Sequence, residues 1–196
     1  KTVYGGRLLI FASDDQLNVL FHSEVLFADG TFKVSPTLFE ELYVLHGLQN
    51  GEVLPVCFIL TSNRKHDTYA AIFRSLKRIG LKMGFDLKPL SIICDFEQSF
   101  MNAVTNELPQ TIVIGCWFHF CQSCYRNIQK LGYEILKQRV TISSQAKQLN
   151  AIVSYFEHEW MHVFKPSTWS VNKSTWRTNN HADGKITFSN IFNTGL

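Results

Sequence analysis

Two stretches decide the fold: Val25-Leu26-Phe27-Ala28-Asp29-Gly30-Thr31-Phe32 and Leu90-Ser91-Ile92-Ile93-Cys94-Asp95-Phe96-Glu97. Each contains an apolar run of the kind that forms a buried strand, followed by an aspartate. A polar group at the border of a core costs roughly 2–7 kcal/mol, and a charge more, unless a cation or hydrogen-bond donors meet it. We therefore interpret Asp29 and Asp95 as candidate ligands of a divalent metal ion.

The order of elements around these stretches predicts one mixed sheet. Strands are expected at Val25–Ala28, Phe39–His46, Val53–Leu60, 90–94 and 111–117, and helices from Asp67 to about Gly80, at about 97–108 and at about 119–131. The Asn50-Gly51 pair indicates a hairpin between the second and third strands. Three antiparallel strands followed by right-handed crossovers give a ribonuclease H-like arrangement (βββαβαβα), a five-stranded α/β sheet with helices on both faces.

The remaining segments complete the predicted domain organisation. Residues 1–22 are a lead-in segment, in which an apolar run from Leu8 to Phe11 precedes a helical turn capped by Ser13 or Asp14. The ribonuclease H-like core is expected at 23–133 and a helical insertion at 134–176. Residues 177–196 form a truncated last segment. Since the chain begins at Lys1 without a methionine, we expect it to be part of a longer protein.

Composition narrows the class of protein without deciding its function. The net charge of +3 permits nucleic-acid contact through a local patch but does not predict it. Five cysteines, an odd number, argue against a secreted disulfide framework and favour the cytosol or nucleus. We find no stretch resembling a membrane span or a signal peptide.

Each aspartate also has a simpler interpretation. Asp29 and Gly30 form a common turn pair, and Asp95 could cap the helix that begins near Glu97. The predicted strand order favours the metal site, because it places the strands of Asp29 and Asp95 side by side at the centre of the sheet. Spacing alone does not fix a third carboxylate; the candidates are Glu157, Glu159 and Asp183.

A second candidate site is the string His158-Glu159-Trp160-Met161-His162, which matches the H-E-x-x-H pattern of zinc metalloproteases. On a helix, Phe156, Trp160 and Phe164 would form the buried stripe. His158 and His162 would then lie on its flank, as surface or rim residues. The protease is the less favoured alternative, because no third ligand accompanies the string.

Cysteine and histidine cluster where the last predicted strand passes into a helix. The potential soft ligands are Cys116, His119, Cys121 and Cys124. A strand-to-helix junction does not let all four converge on one zinc ion. Cys116 and His119 are instead expected to support the carboxylate site.

Several motifs in order closely resemble Mutator-like element (MULE) transposases, over about residues 7–184. The matching segments are 27–36, 39–47, 54–56, Cys94-Asp95-Phe96-Glu97 and Gly115-Cys116-Trp117-Phe118-His119-Phe120 running into Tyr125-Arg126. The resemblance implies a DDE-type transposase on a ribonuclease H-like fold. Such an enzyme cuts DNA and joins transposon ends to target DNA with two Mg²⁺ or Mn²⁺ ions.

The resemblance also assigns residues. Asp29 and Asp95 match the first two catalytic, metal-binding acids, and Cys116 and His119 match a Cys/His pair of the family. The third acid of the family is a Glu three positions after Thr-Asn-Asn, and here that position is Asp183, whose side chain is one methylene shorter. The expected DNA-contacting residues are Lys33, Arg64, Lys65, Arg126 and Lys130.

The resemblance leaves two kinds of protein open. With an intact site the chain is a nuclear DNA transposase that acts on transposon ends and target DNA, with homo-oligomerisation left open. Asp183 in place of Glu instead fits a degenerate or partial copy, or a catalytically inactive, domesticated domain that binds DNA or protein. In the family, a zinc-finger DNA-binding domain usually lies upstream.

Overall fold

The computed structural model describes residues 2–3, 6–31, 35–137 and 142–170. These residues form two compact units, one ending at Ile114 and one beginning at Gly115. Among them, no helix is long and apolar enough to cross a membrane.

The first unit is an α/β structure built on a mixed sheet. Its strands are β1 (Thr2–Val3), β2 (Gly6–Phe11), β3 (Val25–Thr31), β4 (Glu41–Gln49), β5 (Glu52–Thr61), β6 (Ser91–Cys94) and β7 (Ile112–Gly115). Its helices are α1 (Asp14–His22), α2 (His66–Met83) and α3 (Gln98–Glu107). The strand order is β1-β2-β5-β4-β3-β6-β7.

The predicted meander is confirmed by the strand pairing. β3, β4 and β5 pair antiparallel in sequence order. Asn50 and Gly51 both have positive φ, 53° and 83°, as a tight hairpin turn requires. β3 also pairs parallel with β6, so the strand that carries Asp29 lies between β4 and β6.

The prediction of five strands was wrong, since the described sheet has seven. The run that was expected only to lead into the fold, Leu8 to Phe11, pairs antiparallel with the outer edge of β5. Its alternating burial shows why: Leu8 is buried while Leu9 is 40% exposed, as on an antiparallel strand with one covered face. Ser13 then caps α1 through a reciprocal hydrogen bond with Gln16.

Buried aromatic rings join the sheet to α2 and α3. Tyr43 of β4 stacks on Phe100 of α3 with ring centroids 4.7 Å apart. Tyr69 of α2 meets both rings edge to face. All three side chains are at most 1% exposed. This packing holds in place the ends of β4 and α2 that carry polar side chains.

The second unit is helical. It contains α4 (Trp117–Lys137), α5 (Ile142–Phe156), a π-helical segment (Glu157–Val163) and the short α6 (Pro166–Trp169). Phe120 stacks on Trp169, and Trp160 meets Phe120 edge to face. Trp160 and Phe164 are buried, which confirms them as part of the predicted apolar stripe. The prediction of helices on both sheet faces depends on α4. Because α4 belongs to the second unit and not to the unit that contains the sheet, this stays a prediction.

Candidate active site

Asp29 lies inside a strand and not in a turn. It is opposite Val44 in the β3–β4 ladder, and Gly30 is opposite Tyr43. The interpretation of Asp29-Gly30 as a turn pair is therefore wrong. Asp29 is half-buried at the end of a run of fully buried residues, Leu26 to Ala28. Because the backbone of a paired strand is held rigidly, the position of the Asp29 side chain is restricted.

Asp95 is the first residue after β6. The parallel ladder between β3 and β6 ends at the pair Ala28 and Cys94, so Asp29 and Asp95 come next on each strand. Neighbouring strands lie about 4.8 Å apart, which places the two aspartates side by side. Asp95 does not cap α3: the N-cap is Glu97, which makes no side-chain cap bond.

This pair fits a divalent metal ion by its donor chemistry. Carboxylate oxygens are the ligands that Mg²⁺ and Mn²⁺ prefer, and these two belong to neighbouring strand positions. Asp183, the expected third acid, is outside the residues that the structure describes. Within the described ranges, no group of three or more His, Cys, Asp or Glu side chains is arranged to hold a metal.

Next to this pair is an acid cluster that sequence reasoning missed. Glu41, the first residue of β4, is fully buried, and its Oε2 lies 2.8 Å from the Tyr69 hydroxyl. The same hydroxyl lies 2.8 Å from Oε1 of Glu97, two residues after Asp95. Arg64 donates from Nη2 to Oε2 of Glu97 at 2.8 Å. We call Glu41, Arg64, Tyr69 and Glu97 the acid cluster.

Glycine at position 30 makes room for this cluster. A Cβ there would collide with Oε1 of Glu41 and come within 3.0 Å of the Tyr43 ring. The residue after Asp29 therefore has no space for a side chain. The sequence contains one signal of the cluster. Glu41 is a charged residue at the start of an otherwise apolar strand, Glu41-Leu42-Tyr43-Val44-Leu45.

Burial sets the electrostatics of the cluster. It raises the pKa of Glu41 to about 7, with Glu97 adding to the rise and the Tyr69 hydrogen bond and Arg64 opposing it. Burial, together with both glutamates, also raises the pKa of Tyr69 well above its ordinary value. Tyr69 therefore stays protonated, and Glu41 is the member that titrates near neutral pH.

Comparison with known proteins identifies the family of the chain. The family model of the MULE transposase domain matches residues 25–123, half of the chain, from the start of β3 into α4. The chain belongs to the MULE transposase family. A search of curated proteins found no match. Membership in a transposase family implies an interaction with DNA in general.

In this MULE transposase domain, Cys116 and His119 lie at the start of the second unit. Cys116 is buried just after β7, and His119 is in the first turn of α4. His119 lines a cavity of about 500 Å³. The other lining residues are Gln122, Ser123, Arg126, Asn127, Lys130, Tyr155 and Glu159.

The expected DNA-contacting residues differ in their surroundings. Arg126 and Lys130 are exposed, lie one turn apart on α4 and line this cavity. Lys65 is exposed at the start of α2. Arg64 hydrogen bonds Glu97, so a phosphate contact would compete with that bond. Lys33 is outside the described residues.

The H-E-x-x-H string does not assemble as a protease site. His158 and His162 are exposed, as predicted, and line a cavity of about 350 Å³ with Ser154 and Glu157. Glu159, which would act as the base, instead lines the cavity beside α4. The π-helical turn and a 2.7 Å contact between His162 Nδ1 and the Glu157 carbonyl fix this arrangement. The geometry therefore gives the zinc protease no support.

Proposed function

We propose that this MULE transposase domain is a DDE-type catalytic domain on a ribonuclease H-like fold, which cuts and joins DNA strands in the nucleus. The observation that supports the proposal is the β3–β6 ladder, whose last pair, Ala28 and Cys94, directly precedes Asp29 and Asp95 within the segment that the family model matches. The strand order, with a parallel β6 beside the meander, supports the fold assignment.

Asp29, Asp95 and Asp183 would hold two Mg²⁺ or Mn²⁺ ions. When bound, such ions activate water and stabilise charge on the oxygens of a phosphodiester. The contribution of the chain is to fix the carboxylates. β3 and β6 set the first two side by side, and the buried core beneath them limits their movement. A rigid site matters, because errors of about 1 Å can cost on the order of 10²-fold in rate.

DNA would be held by exposed cations. Arg126 and Lys130 present positive charge on one face of α4, and Lys65 does so at the start of α2. Arg suits phosphate because its planar guanidinium can donate two parallel hydrogen bonds. Asn127 and Gln122 add neutral donors in the same cavity. Homo-oligomerisation stays a prediction.

Plasmid nicking tests the proposal. The purified chain should nick supercoiled DNA in the presence of Mn²⁺, and Asp29→Asn or Asp95→Asn should each reduce the rate at least about 10²-fold. Asp86→Asn is the matched control, because Asp86 is an exposed acid away from the strand ends. Equal nicking by Asp95→Asn and the unchanged chain would point to a contaminating nuclease.

The same assay tests the inactive, domesticated alternative, which the Asp at position 183 favours. If the chain is a damaged enzyme, Asp183→Glu should raise the nicking rate. If neither the original chain nor Asp183→Glu nicks DNA, the domain is a binding module.

A further inference from the structure

In the acid cluster, a single tyrosine hydroxyl contacts two carboxyl groups, and it has only one proton to donate. The Tyr69 hydroxyl lies 2.8 Å from Oε2 of Glu41 and 2.8 Å from Oε1 of Glu97. A hydroxyl carries a single proton and donates to a single acceptor, and an ionised carboxylate has no proton to give. Both contacts can be hydrogen bonds only if one of the two carboxyl groups is protonated.

The surroundings decide which glutamate carries the proton. Glu97 is partly exposed and accepts a charge-assisted hydrogen bond from Arg64 at 2.8 Å, which stabilises its ionised form. Glu41 is fully buried, and Nε of Arg64 is 3.9 Å from its Oε1, beyond hydrogen-bond distance. Its Oε1 has no hydrogen-bond partner among the residues that the structure describes. An ionised carboxylate would be poorly compensated there.

We propose that Glu41 is a positioning residue whose protonated form, through the Tyr69 hydroxyl, fixes Glu97 and the turn that presents Asp95. The proton on Glu41 donates to the Tyr69 oxygen, and the Tyr69 proton donates to Glu97. Glu97 in turn begins α3, and its amide donates to the Asp95 carbonyl at 2.8 Å. The chain of bonds therefore runs from β4 through α2 to the residue beside the second acid.

The charged and titratable groups that face Glu41 agree with this assignment. They are Tyr69 from α2, Arg64 from the loop before α2, Glu97 from the turn after β6, and Glu40 and Tyr43 beside it in the chain. Two of these are acids that disfavour a second negative charge. The pKa of Glu41 is raised to about 7 mainly by burial, which agrees in direction with a proton on this residue.

Difference infrared spectroscopy tests the proton. The difference spectrum between the unchanged chain and Glu41→Gln at pH 6 should contain the carbonyl band of a protonated carboxylic acid. This band should disappear by pH 8.5. If the spectra at pH 6 show only a carboxylate difference, Glu41 is ionised and the proposal is wrong.

Amide hydrogen exchange tests the positioning role. Tyr69→Phe should lower the protection of the Glu97 amide about tenfold, the equivalent of one charge-assisted hydrogen bond. Tyr43→Phe is the matched control, because its buried hydroxyl has no hydrogen-bond partner in the described part of the chain. In the unchanged chain, protection should fall between pH 6 and pH 8.5.

Glu41→Gln should keep this protection at both pH values, because an uncharged amide can still donate to the Tyr69 oxygen. Equal protection in Tyr69→Phe and the unchanged chain would overturn the positioning role. This inference rests on the proposed function in one respect, because Asp95 is a metal ligand only under that function. Both measurements omit metal and DNA, so a failure of the nicking assay leaves their result intact.

Discussion

At the scale of single residues, the site contains acids of the same chemistry in different surroundings. Asp29, inside β3, and Asp95, just after β6, are half-buried, where a cation can reach them. Glu41 is closed off from water by Tyr43, Tyr69 and the glycine at position 30. Burial favours the neutral form of a carboxyl group, so we propose that the same kind of side chain is a metal ligand at Asp29 and Asp95 and a hydrogen-bond donor at Glu41.

This difference has a consequence for stability. The pKa of Glu41 is about 7 in the folded chain and about 4.3 in an unfolded one, so the neutral form stabilises the fold at low pH. That stability is fully present below about pH 4.3 and is lost as the pH rises through 7. We expect the free energy of unfolding to fall by on the order of 3 kcal/mol across this window.

Urea denaturation at pH 5, 6, 7 and 8 measures this effect, with Glu41→Gln as the reference because glutamine does not titrate. The unchanged chain should lose stability relative to Glu41→Gln as the pH rises. A difference between the two that stays constant over this range would contradict the raised pKa.

At the scale of elements, α4 presents two exposed cations. Arg126 and Lys130 are four residues apart, so they lie on one face of the helix, on the wall of a cavity. Each phosphate contact releases counterions, which makes DNA affinity depend on salt concentration.

We expect Arg126→Gln with Lys130→Gln to weaken DNA binding and to reduce the slope of log affinity against log salt by about 1.8. Fluorescence anisotropy with a labelled duplex, measured at several salt concentrations, gives this slope. Arg78→Gln with Lys82→Gln is the matched control, since these exposed residues have the same spacing on α2. An equal loss of slope in both double variants would show that α4 adds only net charge.

At the scale of the whole molecule, the sequence was informative where one physical signal dominated. The apolar runs around Asp29 and Asp95 predicted both strands, and Asn50-Gly51 predicted the hairpin, because these patterns depend on local chemistry. The strand neighbourhood of the two aspartates followed from the order of elements.

Long-range pairing was harder to predict. Leu8 to Phe11 becomes a strand only because the edge of β5 offers it unpaired backbone groups, some fifty residues away. The acid cluster depends on contacts between three separate elements, and no local pattern encodes a tyrosine hydroxyl between two glutamates. The turn interpretation of Asp29 was plausible locally and was excluded by the β3–β4 ladder, whereas the cap interpretation of Asp95 was excluded because the N-cap of α3 is Glu97.

A metal site formed by Asp29 and Asp95 is best tested by calorimetric titration of Mn²⁺ into the purified chain, beside Asp95→Asn and the control Asp86→Asn. We expect saturable binding to the original chain and to Asp86→Asn, and a loss of at least about tenfold in affinity in Asp95→Asn. Equal binding by Asp95→Asn, or no binding by the original chain, would contradict a metal site at the ends of β3 and β6.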